Sequence, residues 1–343
     1  MPPHDRVPKL VLIVPVLTAV LALLNMSVPR VWIGPGSAVE VKELVRISGA
    51  QEYRTPGKLL LTTVHLVYPP SLAMAIKGWL DPLVDLPPSE LYYPEDVDPQ
   101  EVNRGARQDL QNSKLVASAA ALTRLGYPVV LEGADVLVSG IPAQSPATGV
   151  LRRGDFILAV GGHRVCGAEE LRFEMSQATP GEPVALQVRR DGRDINVTAG
   201  TVPDPENERR AVLGVELAPQ GQVRIQLPFK VEIEQGDIGG PSAGLVFALS
   251  ITDLLQDGDL SGGRAVAGTG TIGCGGQVGL VGGVKQKVTA AEKSGAELFL
   301  VPQDEFEDAC KWAKRIRIVP VNRLDEAVRV LQDPAAAKAR SCR

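Results

Sequence analysis

The spacing of apolar and polar residues changes three times along this chain, and each change marks a different kind of structure. Leu10 to Val28 is uncharged and almost continuously apolar, with no polar face, and its length is about that of a bilayer-spanning helix. GKLLLTTVHLVYP, residues 57–69, is apolar and β-branched between Gly57 and Pro69, which predicts a strand. SLAMAIKGWLDP then reads as a short amphipathic helix, and the Pro-rich, acidic stretch from Pro82 to Pro99 as an exposed loop. NRGARQDLQNSKLVASAAALTRLG, residues 103–126, has helix-forming composition and closes at Gly126. Over residues 125–200 the period shortens to that of strands. VLVSGI, GDFILAVGG and PVALQVRRDGRDINVTA are strand-like, with Asp191-Gly192 a strong hairpin signal, and AEELRFEMSQATPG reads as one helix ending near Gly181. Further on, helical patterns return behind glycine pairs, at GGPSAGLVFALSITD and at GGVKQKVTAAEKSG.

Composition narrows the partners. The chain has 343 residues, 44% of them apolar, enough for two or three domains with real cores. The net charge of −4 and the lack of any Lys/Arg run argue against nucleic acid. Arg6 and Lys9 precede the apolar N-terminal segment, so it should run with its N-terminus in the cytoplasm and the rest of the chain outside. A cleaved signal peptide is the rival reading, but residues 25–30, NMSVPR, offer no small-residue cleavage site, which favours a retained anchor. The four cysteines, Cys166, Cys274, Cys310 and Cys342, form no CxxC metal pair, and no metal or cofactor is expected. An oxidising exterior would permit a Cys274–Cys310 bridge; the alternative is separate small core residues.

Candidate chemistry centres on Ser242. Gly240, Ser242 and Gly244 satisfy G-x-S-x-G, the nucleophile elbow of α/β hydrolases, but that elbow needs a histidine later in the chain. His4, His65 and His163 all precede Ser242, so this class is excluded. No H-E-x-x-H occurs either, which removes the zinc proteases of that type. His65 and His163 read as structural or exposed. A serine ahead of an apolar helix also suits an N-cap, a role compatible with reactivity. A lysine can activate serine if its amine is neutral, and lowering a lysine pKa from about 10.4 to about 7 costs roughly 4 to 5 kcal/mol. Lys285 opens a helix behind Gly282-Gly283, where the positive end of the helix dipole disfavours a cation. Lys287, two positions on, faces elsewhere on that helix, so this reasoning assigns the base to Lys285.

Two resemblances carry the function further. SPATGVLRRGDFILAVGGHRV, residues 145–165, is similar to the SPA…L..GD.I..v.G..v pattern of PDZ domains attached to bacterial envelope proteases. That likeness implies peptide binding by strand addition, with Leu125, Gly126 and Tyr127 resembling the carboxylate loop, although Arg124 replaces its first glycine; a helix C-cap with a buried tyrosine is the other reading. GDIGGPSAGLVFALSI followed by GTGTIGCGGQVGLVGGVKQKVTAAEKSGAELFLVP resembles the proteolytic domain of the Lon family, which has a serine–lysine dyad. The resemblance implies Ser242 as nucleophile, Lys285 as base, and Thr269 as the threonine that hydrogen-bonds the lysine. It implies an oxyanion loop around Asp237, Gly239 and Gly240, two residues longer here than the family's D-G-P-S-A-G.

No G-x-x-x-x-G-K-[ST] phosphate loop occurs in the sequence. The chain thus resembles the membrane-anchored, PDZ-containing Lon-like serine proteases of the YlbL type (family S16). This implies an ATP-independent endopeptidase of the cell membrane that cleaves unfolded or membrane-associated proteins outside the cytoplasm, and, as in Lon, hexameric rings. The alternative is an inactive, membrane-tethered PDZ adaptor. The expected fold is α+β, with a cytoplasmic N-terminus (1–9), a transmembrane anchor (10–28), a β/α segment (36–122), a PDZ domain (123–204), the proteolytic domain (205–333) and a tail (334–343). GKLLLTTVHL and the helix over 113–125 resemble the opening strand and helix of a Lon domain, which would make the PDZ domain an insertion within it.

Overall fold

The structure is a computed structural model that describes residues 9–94, 97–205, 207–219, 223–234, 239–333, 335 and 342. The first part of the chain forms α1 (Lys9–Leu24), β1 (Trp32–Glu40), β2 (Val45–Ser48), β3 (Lys58–Val67), α2 (Leu72–Leu80) and α3 (Pro99–Arg124). The middle forms β4 (Val130–Glu132), β5 (Val136–Gly140), β6 (Phe156–Val160), β7 (His163–Arg164), α4 (Ala168–Ser176), β8 (Val184–Arg190), β9 (Arg193–Ala199), β10 (Val202–Asp204), β11 (Asn207–Val212) and β12 (Glu216–Leu217). The last part forms β13 (Arg224–Gln226), β14 (Lys230–Ile233), α5 (Gly244–Leu255), β15 (Ala265–Gly268), β16 (Thr271–Ile272), β17 (Val278–Gly279), α6 (Val284–Lys293), β18 (Leu298–Pro302), α7 (Phe306–Trp312), β19 (Arg317–Val321) and α8 (Leu324–Gln332).

The first and last parts build one sheet, in the order β1-β3-β15-β18-β19. Only β1 runs antiparallel to its neighbour; the rest is parallel, with α6 and α7 as the crossovers between β15, β18 and β19. Both faces are covered, so the strands read as apolar runs rather than alternations. Leu59 and Leu61 face a core shared with α3, α5 and α8, while Leu60 faces one shared with α6 and α7. Helices on both faces of a mostly parallel sheet make this unit mixed α/β, which corrects the α+β expectation. α3 begins four residues earlier than its composition predicts, because Asp98 caps it by accepting from the Gln100 amide (2.9 Å) and Pro99 suits its first turn.

The middle part is a separate unit with its own core and a sheet in the order β12-β5-β6-β8-β9, with α4 packed on it. Asp191 (φ 50°) and Gly192 (φ 75°) turn β8 into β9. In chain order this unit interrupts the larger one, since β3 pairs with β15 across it. Cys166–Cys274 joins the two covalently, and Cys310 pairs with Cys342, so the Cys274–Cys310 bridge that the sequence reading allowed does not form. Cys274 lies in the β16–β17 hairpin, which faces β7 and α4, whereas Cys310 lies on α7.

The N-terminal helix is shorter than the apolar run. No helix among the described residues is long and apolar enough to cross a membrane; at 16 residues α1 extends about 24 Å. It stops at Leu24 because the chain then turns onto the larger unit, where the Leu72 amide donates to the Met26 carbonyl (2.8 Å) and the Val28 amide to the Pro70 carbonyl (3.1 Å).

Candidate active site

α5 is buried along its whole length between the sheet and α3. Its first residue is glycine for lack of room: a Cβ on Gly244 would lie 2.8 Å from Ile272 Cγ2 and 3.0 Å from Ser113 Oγ. Ser242 is half-buried in the turn ahead of α5. Ala243 holds the cap position and no side chain caps the helix, so the serine hydroxyl is not spent on capping. The turn is fixed through its backbone. The Ser242 carbonyl accepts from the Gly270 amide (2.9 Å) and Thr269 Oγ1 (3.2 Å), the Pro241 carbonyl accepts from Ser113 Oγ (3.0 Å), and the Gly240 amide donates to the Ala106 carbonyl (3.0 Å). Gly240, one of two glycines expected to face an oxyanion, therefore has its amide engaged by α3. Gly239 lies beside Ala106, and Asp237 falls outside the described residues.

The two lysines of α6 part company. Lys285, the expected base, turns away from Thr269: its Nζ binds Asp85 Oδ1 (2.6 Å) and the Pro82 carbonyl (3.0 Å) and lies over the Trp312 ring, 5.1 Å from its centre. Lys287 is 3% exposed, and its Nζ donates to Thr269 Oγ1 (3.1 Å). Burial brings its pKa from the ordinary 10.5 down to about 8, partly opposed by the Glu305 carboxylate. Keeping that amine buried costs about 3 kcal/mol. Position on the helix therefore does not separate the two lysines. Both lysines are in the first turns of α6, and what separates them is the partner that each face meets: the loop at 82–85 for one, the end of β15 for the other. Thr269, expected to hold Lys285, instead accepts from Lys287 and links that amine to the backbone of Ser242.

Leu125, Gly126 and Tyr127 are the end of α3 rather than a carboxylate loop. The amides of Gly126 and Tyr127 donate to the carbonyls of Thr123 (3.0 Å) and Leu122 (2.9 Å), with Gly126 at φ 82°, a left-handed helix stop that suits glycine. Tyr127 packs edge-on against Phe229, 5.1 Å between ring centres, on the core of the larger unit. The same apolar-Gly-apolar pattern recurs at Leu213-Gly214-Val215, which the sequence reading missed. There the Leu213 carbonyl accepts from Ser145 Oγ (3.0 Å), and the chain runs on into β12, the end strand of the sheet, paired with β5. The signal was present in AVLGVEL, but it stands at the C-terminal end of the unit.

Cys166, Glu170 and Cys274 bring potential metal-ligand atoms within 4.8 Å of one another. The sulfurs are joined, however, and the Glu170 carboxylate accepts from the amides of Cys166 (3.0 Å) and Cys274 (2.9 Å), so the group acts as a junction between units. Around it Gln277 Nε2 donates to the Arg164 carbonyl (2.9 Å) and Glu174 Oε1 (2.8 Å), and Arg323 pairs with Glu174. A polar cavity of about 550 Å³ lies beside this junction, lined by His163, Glu174, Arg323 and Arg329 among others; Ser242, Thr269 and Lys287 do not line it.

Comparison with known proteins agrees with this division. Residues 123–201 match the PDZ domain, and residues 225–332 match the Lon protease (S16) C-terminal proteolytic domain. The Lon protease of Trichlorobacter lovleyi is 34% identical over 95 residues, 26% of this chain and 11% of that protein. The Lon protease of Phenylobacterium zucineum is 27% identical over 171 residues, 48% of this chain and 21% of that protein. The chain thus spans a small part of the length of these curated relatives. A solution structure from Geobacillus thermodenitrificans is 26% identical and covers 25% of this chain and 98% of its own, with a TM-score of 0.23. The chain combines a PDZ domain with a Lon-type proteolytic domain.

Proposed function

We propose that this chain is a serine endopeptidase in which Ser242 attacks the scissile carbonyl and Lys287, not Lys285, takes its proton and returns it to the leaving amine. The observation that carries this is the buried Lys287 amine, held by a threonine that also grips the Ser242 backbone. With a pKa of about 8, about a tenth of the molecules carry a neutral Lys287 at pH 7 and about half at pH 8. Cleavage should therefore rise with pH through that region.

The reading includes an ATP-independent enzyme held to the cell membrane by residues 10–28, with its domains outside the cytoplasm. Arg6 and Lys9 ahead of the apolar segment support the orientation, and the Cys166–Cys274 and Cys310–Cys342 bridges suit an oxidising compartment. Extended or unfolded segments of protein substrates would add as a strand beside β12, with Leu213-Gly214-Val215 at their end.

The test is casein cleavage by the full chain in detergent micelles. Ser242→Ala and Lys287→Met should each lose at least about 10³-fold in kcat/KM with unchanged circular dichroism, while Lys285→Ala keeps most activity. Equal cleavage by all four proteins would overturn the dyad. A second reading, a peptide-binding adaptor without turnover, draws support from the engaged Gly240 amide. It predicts no cleavage by the unmodified chain.

A further inference from the structure

Large apolar side chains that face solvent singly are ordinary, but gathered together they mark a surface that is covered in use. Here they gather between residues 17 and 92. Trp79 is 80% exposed, Leu91 74% and Leu80 71%. α2 shows the oddity most plainly, since a helix on a folded core should turn its polar side outward. It buries Gly78 against Trp32 and turns Ile76, Trp79 and Leu80 to solvent, with Lys77 as the one charge among its nine residues.

This apolar surface is carried on one platform. Residues 26–28 bind 70–72, the Val31 amide donates to the Pro87 carbonyl (3.0 Å), and Ile33 and Asp85 exchange backbone hydrogen bonds (3.0 and 2.9 Å). Tyr68 stacks on Tyr93 with 4.1 Å between ring centres. The platform is also where aromatic residues concentrate: it carries Trp32 and Trp79 of the three tryptophans, and Tyr68, Tyr92 and Tyr93 of the five tyrosines. α1, itself apolar and exposed at Leu17, Leu21 and Leu23, leads straight into it.

We propose that this platform is seated on a lipid bilayer, with α2 along the interface and Ile76, Trp79 and Leu80 among the acyl chains; this rests on the reading of residues 10–28 as an anchor. Amphipathic aromatics are what a membrane–water interface collects, and a seat continuous with an apolar helix lies where that helix enters the membrane. α2 carries only the charge of Lys77, and the exposed charges of the adjoining loop, Asp81, Asp85 and Glu90, are all acidic, so the seat is apolar and does not need anionic lipid. It also reaches the catalytic unit. Asp85, on the platform, accepts from Lys285 Nζ (2.6 Å) and Gln286 Nε2 (2.7 Å) at the start of α6, the helix that bears Lys287. The ion pair that removes Lys285 from the dyad ties the base helix to the membrane seat.

The experiment reconstitutes the full chain and its Trp79→Phe variant in phosphatidylcholine vesicles, so that the difference between their emission spectra isolates one indole. Flotation reads the anchor, and quenching reads the seat. We expect the Trp79 signal to be quenched at least twofold by phosphatidylcholine brominated in the upper acyl chain, and to be shielded from aqueous acrylamide, equally at low and high salt. A chain that floats with Trp79 open to acrylamide overturns the seat and leaves the anchor standing. A chain that floats with Trp79 shielded from both quenchers overturns it in favour of a second protein copy. A chain that does not float overturns both readings.

Discussion

Lys287 is gripped by regular structure: α6 carries it, β15 ends at the threonine that receives it, and the sheet buries both. Ser242 is held more loosely. Its turn hangs from α3 by two bonds, Gly240 to Ala106 and Ser113 to Pro241, and is otherwise fastened by its own carbonyl to Thr269 and Gly270. The proposed base is thus positioned by the core of the last part of the chain, whereas the proposed nucleophile takes its position from a helix that precedes the PDZ domain. A site divided in this way is adjusted through its serine and anchored through its lysine.

Four variants sharpen that contrast beyond the loss of Ser242 or Lys287 themselves. Thr269→Val should cost about 10- to 100-fold in kcat, and because it removes the acceptor that favours a charged amine, the pH inflection of kcat/KM should move below its starting value near 8. A shift upward would refute the contact as drawn. Ser113→Ala, on the nucleophile side, should lower kcat about 3- to 10-fold with the inflection unmoved, since it disturbs position and not protonation. Replacing Cys166 and Cys274 by serine should remove about 2 to 4 kcal/mol of stability, read as a lower midpoint in urea, with kcat reduced no more than about threefold. Lys285→Ala should change kcat less than about twofold, since Asp85 is half-exposed and an ion pair of that kind contributes little; a loss as large as that of Lys287→Met would reverse the assignment of the base.

The sequence made the serine, the threonine and the presence of a lysine legible, because each stands in a short glycine-bounded motif whose spacing is local. It pointed to Lys285, whereas the folded geometry favours Lys287. Both lie near the positive end of α6, so the dipole argument treats them alike; the choice depends on Asp85 and Thr269, which meet opposite faces of the helix only after folding. The carboxylate loop failed similarly, since Leu125-Gly126-Tyr127 has the composition of both a helix stop and a binding turn, and Tyr127 chose Phe229, about a hundred residues away. The cysteine pairing was hidden for the same reason, with Cys166 and Cys274 brought together by the packing of two units. The apolar run at 10–28 was plain as composition, while the end of its helix at Leu24 was set by hydrogen bonds to residues 70 and 72.

The interruption of the larger unit by the PDZ domain has a consequence in time. A ribosome delivers β3 and α3 first, then a whole binding domain, and only afterwards β15 and the residues of the dyad. Strand partners so far apart in the chain pair slowly, because loop closure must precede any contact between them. On the proposed reading, the newly made chain would hold a peptide before it could cut one.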